Sequence, residues 1–72
     1  MTFSDNLKKL RKENKLTQSV LAKALNVDVN TISRYERGDM DPSITALAKI
    51  AEYFQVNTDY LLGLSDVRER RA

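Results

Sequence analysis

The stretch Leu16-Thr17-Gln18-Ser19-Val20-Leu21-Ala22-Lys23-Ala24-Leu25-Asn26-Val27-Asp28-Val29-Asn30-Thr31-Ile32-Ser33-Arg34-Tyr35-Glu36-Arg37-Gly38 decides the fold. Thr17 is a good N-cap, because its hydroxyl can accept from a free amide in the first turn of a helix. Leu21, Ala22 and Leu25 then recur at helical spacing and supply one buried face. Asn26-Val27 reads as a tight turn, since Asn tolerates the left-handed conformation. Asp28 caps a further helix from Val29 to about Arg37, with Ile32 and Tyr35 on its inner face. Gly38 fits the position after a helix that needs positive φ. Two short helices joined by a turn of about three residues are therefore predicted. In a helix-turn-helix unit the second helix is the one that enters the DNA major groove. Here its outer side carries Val29, Asn30, Ser33, Arg34 and Arg37, at spacings of one, three and four. That face is small, polar and basic. Glu36, the only acid between Val29 and Gly38, falls on a different face.

On the N-terminal side, Thr2 can cap a first helix with Asp5 three residues on, a shorter relative of the capping-box acid. Phe3, Leu7 and Leu10 make its apolar face, and the pattern ends near Asn14-Lys15. On the C-terminal side, Asp39-Met40-Asp41-Pro42 is a loop, and Ser43 or Asp41 caps a fourth helix. Ile44, Leu47, Ala48, Ile50, Ala51 and Phe54 form a stripe wide enough to predict the most buried helix of the chain. Gln55 stands where a helix-ending glycine would be expected, a replacement that costs little if the residue avoids positive φ. Asn57 caps a last short helix with Leu61 and Leu62, and Gly63 stops it. The expected architecture is all-α: five short helices in residues 1–64, then a charged tail, 65–72, that frays.

Composition narrows the function. The chain has 72 residues, 42% apolar and 31% charged, which suits one small globular domain. It has neither Cys nor His, so a disulfide framework, a thiolate metal site and the commonest general base are excluded. The two glycines, Gly38 and Gly63, lie too far apart for a phosphate-cradling loop. No nucleophile–base set is visible, so no enzyme, cofactor, metal or small-molecule ligand is expected. Neither a signal peptide nor a membrane-spanning run is evident, and the expectation is a cytoplasmic protein without a membrane partner. The net charge is only +2, yet it is unevenly spread. Residues 1–38 sum to +4 and residues 39–67 to −4. A basic half fits a polyanion at one face, and equally fits a solvated helix surface.

The motifs Leu16-Thr17-Gln18, Leu21-Ala22, Val27 and Thr31-Ile32-Ser33-Arg34-Tyr35-Glu36-Arg37-Gly38 resemble the Cro/phage-repressor (XRE) type of helix-turn-helix. Pro42-Ser43, Leu47-Ala48-Lys49-Ile50-Ala51 and Val56-Asn57-Thr58-Asp59-Tyr60-Leu61-Leu62-Gly63 continue the resemblance in register, over about residues 3–63. It implies a lambda-repressor-like fold that binds double-stranded DNA, usually as a homodimer on a near-palindromic operator. Position by position, it implies that Val29, Asn30, Ser33 and Arg34 reach base edges. Arg34 can bond guanine and Asn30 adenine in bidentate fashion, and Val29 can touch a thymine methyl. For Arg34 a phosphate contact or an exposed ion pair is the alternative. Gln18 matches a phosphate-contacting glutamine that supports the recognition helix, the alternative being a plain surface residue. Thr31 and Arg37 match phosphate contacts, which set register without reading sequence. Arg11 and Glu36 match a structural salt bridge between the first and third helices. Val56, Tyr60 and Leu64 are the dimer-interface candidates, with closure of the core as the alternative for Val56.

Two departures stand out. The loop after the recognition helix is often basic in the family and is acidic here, and Val20 is apolar where a polar residue is usual. The expectation is a sequence-specific transcriptional regulator that represses by occupying an operator. The acidic 39–67 segment and the apolar candidates favour a second reading, an antitoxin or accessory subunit whose DNA binding is secondary. RNA is disfavoured because no exposed aromatic row is evident for stacking.

Overall fold

Five side chains start the five helices. In the computed structural model, which describes residues 1–69, these are α1 (Phe3–Glu13), α2 (Gln18–Leu25), α3 (Val29–Arg37), α4 (Ile44–Phe54) and α5 (Thr58–Leu61). Thr2, Thr17, Asp28, Ser43 and Asn57 each accept a hydrogen bond from an amide two or three residues on. The fourth cap is thus Ser43, not Asp41. Thr2 and Asp5 close a reciprocal capping box, and the bonds from Thr2 hold the Asp5 carboxyl below its ordinary value. Left-handed residues end the helices at Asn26, Gly38 and Gln55. Gln55 does not avoid positive φ; it sits at +55°.

One core joins all five helices: Leu7 and Leu10 from α1, Leu21, Ala22 and Leu25 from α2, Ile32 and Tyr35 from α3, Ile50 and Ala51 from α4, with Val56 and Leu61. Phe3 meets Tyr35 edge-on, ring centres 5.7 Å apart, which fastens the start of α1 to α3. Buried Asn6 donates from Nδ2 to the carbonyls of Tyr60 at 2.8 Å and Leu61 at 3.2 Å, tying α1 to the end of α5. No hydrophobic pattern signals such a residue, because it sits inside for its amide and not for its hydrophobicity.

Two expectations are corrected. The fourth helix is not the most buried: only Ile50 and Ala51 are enclosed, while Ile44 is 88% exposed and Ala48 also faces outward. Helix α4 lies at the edge of the fold, against α2 and α5, so its stripe is wider than the surface available to cover it. Nor does the chain fray directly after residue 64. The Asn57 amide donates to the Arg68 carbonyl at 3.0 Å, and Val56 pairs with Glu69 in an antiparallel bridge. The Arg68 guanidinium pairs with Glu13 on α1 and lies 5.7 Å from the Tyr60 ring centre. That pairing holds the Glu13 carboxyl below its ordinary value. Arg70, Arg71 and Ala72, the end of the expected tail, lie outside the described residues. No helix among the described residues is long and apolar enough to cross a membrane.

Candidate nucleic-acid interface

The turn between α2 and α3 is built from local bonds. Asn26 adopts the left-handed conformation at φ 59°, and the Val27 amide donates to the Ala22 carbonyl at 2.9 Å. Val27 is half-buried against the core. Asp28 then accepts from the Asn30 amide at 2.9 Å and starts α3. The direction of α3 is therefore set within three residues. Its inner side, Ile32 and Tyr35, is buried. Its outer side presents Val29, Asn30, Arg34 and Arg37 to solvent, with Thr31 and Ser33 half-buried beside them. Five of the six face positions are thus polar, and the face carries no acid.

The one acid within α3 is turned away by a specific network. Glu36 Oε2 accepts from Arg11 Nε at 2.6 Å, and Glu36 Oε1 accepts from Arg11 Nη2 at 2.9 Å. Glu36 Oε1 also accepts from Gln18 Nε2 at 3.2 Å. Arg11 donates in addition from Nη1 to the Leu16 carbonyl at 2.8 Å, so one guanidinium joins α1, the α1–α2 link and α3. The two charged side chains are 13% and 3% exposed. Burial pushes the Glu36 carboxyl up, but the hydrogen bonds from Arg11 and Gln18, with the charges of Arg11 and Lys8, outweigh it and hold it below its ordinary value. Chemically, the network holds an ionised carboxylate behind the outer face and fixes the α2 N-terminus against α3. Gln18 lies at that N-terminus, where unpaired amide N–H groups favour an anion.

At the other end of α3, Arg37 Nε pairs with Asp39 Oδ2 at 3.0 Å. Sequence reading placed Arg37 on the outer face and missed this pair. Its signal was present: a left-handed Gly38 between the two residues turns the chain so that Asp39 swings back beside the helix. The dimer candidates separate. Val56 is 3% exposed and closes the core, so it offers no surface. Tyr60 is half-covered, with the Arg68 guanidinium over its ring. Leu64 is 75% exposed.

Five helices around one core, two of them joined by a three-residue turn with the second turning a polar, acid-free face outward, define a lambda-repressor-like helix-turn-helix unit. The chain belongs to the helix-turn-helix family HTH_3, of the XRE/Cro type, whose family model matches residues 7–61. Curated relatives that match it are named as HTH-type transcriptional regulators or phage repressors. The chain is 37% identical over 70 residues to the HTH-type transcriptional regulator ImmR of Bacillus subtilis, covering 97% of this chain and 55% of ImmR. Among solved structures it is similar to a transcriptional regulator from Listeria innocua, with TM-score 0.83 and 35% identity over 90% of this chain and 61% of that one. It is also similar to the P22 c2 repressor protein in complex with a synthetic operator in the presence of Tl+, with TM-score 0.84 and 28% identity over 90% of this chain and 98% of that one. The chain spans about half the length of the curated relatives it matches.

Proposed function

We propose that this chain is a sequence-specific regulator that lays α3 in the major groove of duplex DNA and represses transcription by occupying a near-palindromic operator as a homodimer. The observation that carries the reading is the outer face of α3: polar and exposed, with Glu36 drawn behind it onto Arg11 and Gln18. The operator-bound P22 c2 repressor, similar over nearly its whole length, supports the same docking.

In this reading Arg34 offers its planar fork to O6 and N7 of a guanine, and Asn30 its amide to an adenine. Val29 meets a thymine methyl, and Ser33 is small enough to let the helix approach. Gln18 Nε2 has two protons, of which one goes to Glu36. The other is available to a backbone phosphate at the α2 N-terminus. Thr31 and Arg37 add phosphate contacts that hold the register. Leu64, with the open side of Tyr60, supplies the dimer contact. Two α3 helices about 34 Å apart would then meet one face of the duplex.

Selection of bound sites from random duplex DNA tests this directly. An enriched, two-fold related sequence is expected, bound less tightly as salt rises. Arg34→Ala should lose about 1–3 kcal/mol of discrimination at one base pair per half-site. Gln18→Ala should weaken every duplex alike. Absence of any enriched sequence would reject the reading. A reporter behind the selected site that falls silent without the protein would reject repression alone.

A further inference from the structure

The end of α3 carries an acid where a phosphate grip would be expected, and the backbone sets that acid in place. Gly38 is left-handed at φ +78°, and the Asp39 amide donates to the Arg34 carbonyl at 2.9 Å. These two features close the helix end and hold Asp39 beside it. From there its carboxylate accepts from Arg37 Nε at 3.0 Å. The side chains are 60% and 56% exposed, so the pair adds little to stability and can exchange with solvent ions.

We propose that Asp39 is a positioning residue that weakens the hold of Arg37 on the DNA backbone, and so limits the sequence-independent share of binding. The inference rests on α3 being the groove helix. A guanidinium already paired with a carboxylate presents almost no net charge to a phosphate. Arg37 engages Asp39 through Nε alone and can still donate from its Nη groups to the backbone, but it then carries the carboxylate within a Debye length of the polyanion, about 8 Å at physiological salt. Gly38 makes this arrangement possible, because any other residue at φ +78° would be strained. With this contact restrained, Asn30 and Arg34 carry a larger part of what holds the protein to its site.

Asp39→Asn is the informative variant. It removes the charge and keeps an oxygen that can accept from Arg37. Binding to the selected operator and to an unrelated duplex should tighten by a similar factor. The logarithmic salt slope should steepen by about one per protomer, hence about two for the dimer, which is about tenfold more affinity lost between 50 and 200 mM salt. The melting temperature should not move, as it would if Asp39 served only the fold. In an Arg37→Ala background the steepening should vanish. An unchanged slope in Asp39→Asn, or the same steepening without Arg37, would overturn the restraint while leaving the groove reading intact. If the unaltered protein showed no salt-dependent duplex binding, both would fall.

Discussion

A single guanidinium, Arg11, holds three segments together at the point where α3 is fixed. Arg11→Ala would leave the Glu36 carboxylate enclosed, with only Gln18 as a partner. The expected cost is about 3–5 kcal/mol, a large part of the roughly 5–15 kcal/mol that stabilises a domain. A fall of this size in the unfolding free energy from urea titration would identify the pair as structural; a change under about 1 kcal/mol would reject that role. The acid side of the stability curve follows from the same network. The folded value of Glu36 lies below its ordinary 4.5, so the folded state binds fewer protons there than the unfolded chain. Its stabilising contribution is therefore complete above the ordinary value and is lost as pH falls through the lowered one. Glu36→Gln should be less stable at neutral pH and should show a flatter loss below pH 4.5 in urea titrations. Equal acid limbs would mean that Glu36 is not the responsible group. The Arg11–Glu36 pair could be named from the family resemblance, whereas the third partner, Gln18, appears only once α2 and α3 are packed.

Among the elements, α2 and α3 are the most legible, because their caps, turn and buried faces all lie within one short stretch. Helix α4 is the least legible. Its six apolar positions describe one stripe, yet only those against α2 and α5 are covered. Its end carries a cost the sequence conceals. Gln55 occupies the left-handed region at φ 55°, where an L-residue loses roughly 1–2 kcal/mol relative to its right-handed form. Glycine removes that penalty but gives up about 0.4–1 kcal/mol of unfolded-chain entropy. Gln55→Gly should therefore raise stability by about 0.5–1 kcal/mol and the melting temperature by several degrees. Thermal melts that show a decrease would mean the Gln55 Nε2 bond to the Glu52 carbonyl, at 2.6 Å, outweighs the strain.

Across the whole molecule, the segment through Glu69 returns over the α4–α5 link and brings Arg68 between Glu13 and Tyr60. This strap and the core divide the apolar residues once grouped as an interface. Val56→Asp places a charge in the core and should abolish cooperative unfolding. Leu64→Asp should leave the melting transition near that of the parent while weakening self-association in sedimentation equilibrium. It should also weaken operator binding, since two linked α3 helices gain from their common attachment. Unaltered self-association in Leu64→Asp would place the dimer contact elsewhere.

The amino-acid order alone determined where the helices start, which way α3 presents its faces, and that Glu36 is set apart from its outer side. Those are properties of caps and of a 3.6-residue period, written within a few neighbouring positions. Only the tertiary structure decided that Asn6 is enclosed by bonds reaching 54 and 55 residues along the chain, that Val56 is core and that Ile44 is bare. Each of these depends on which surface meets which neighbour, and burial is a property of that meeting. Periodicity tells a helix which side is apolar; it does not say how much of that side another element will reach.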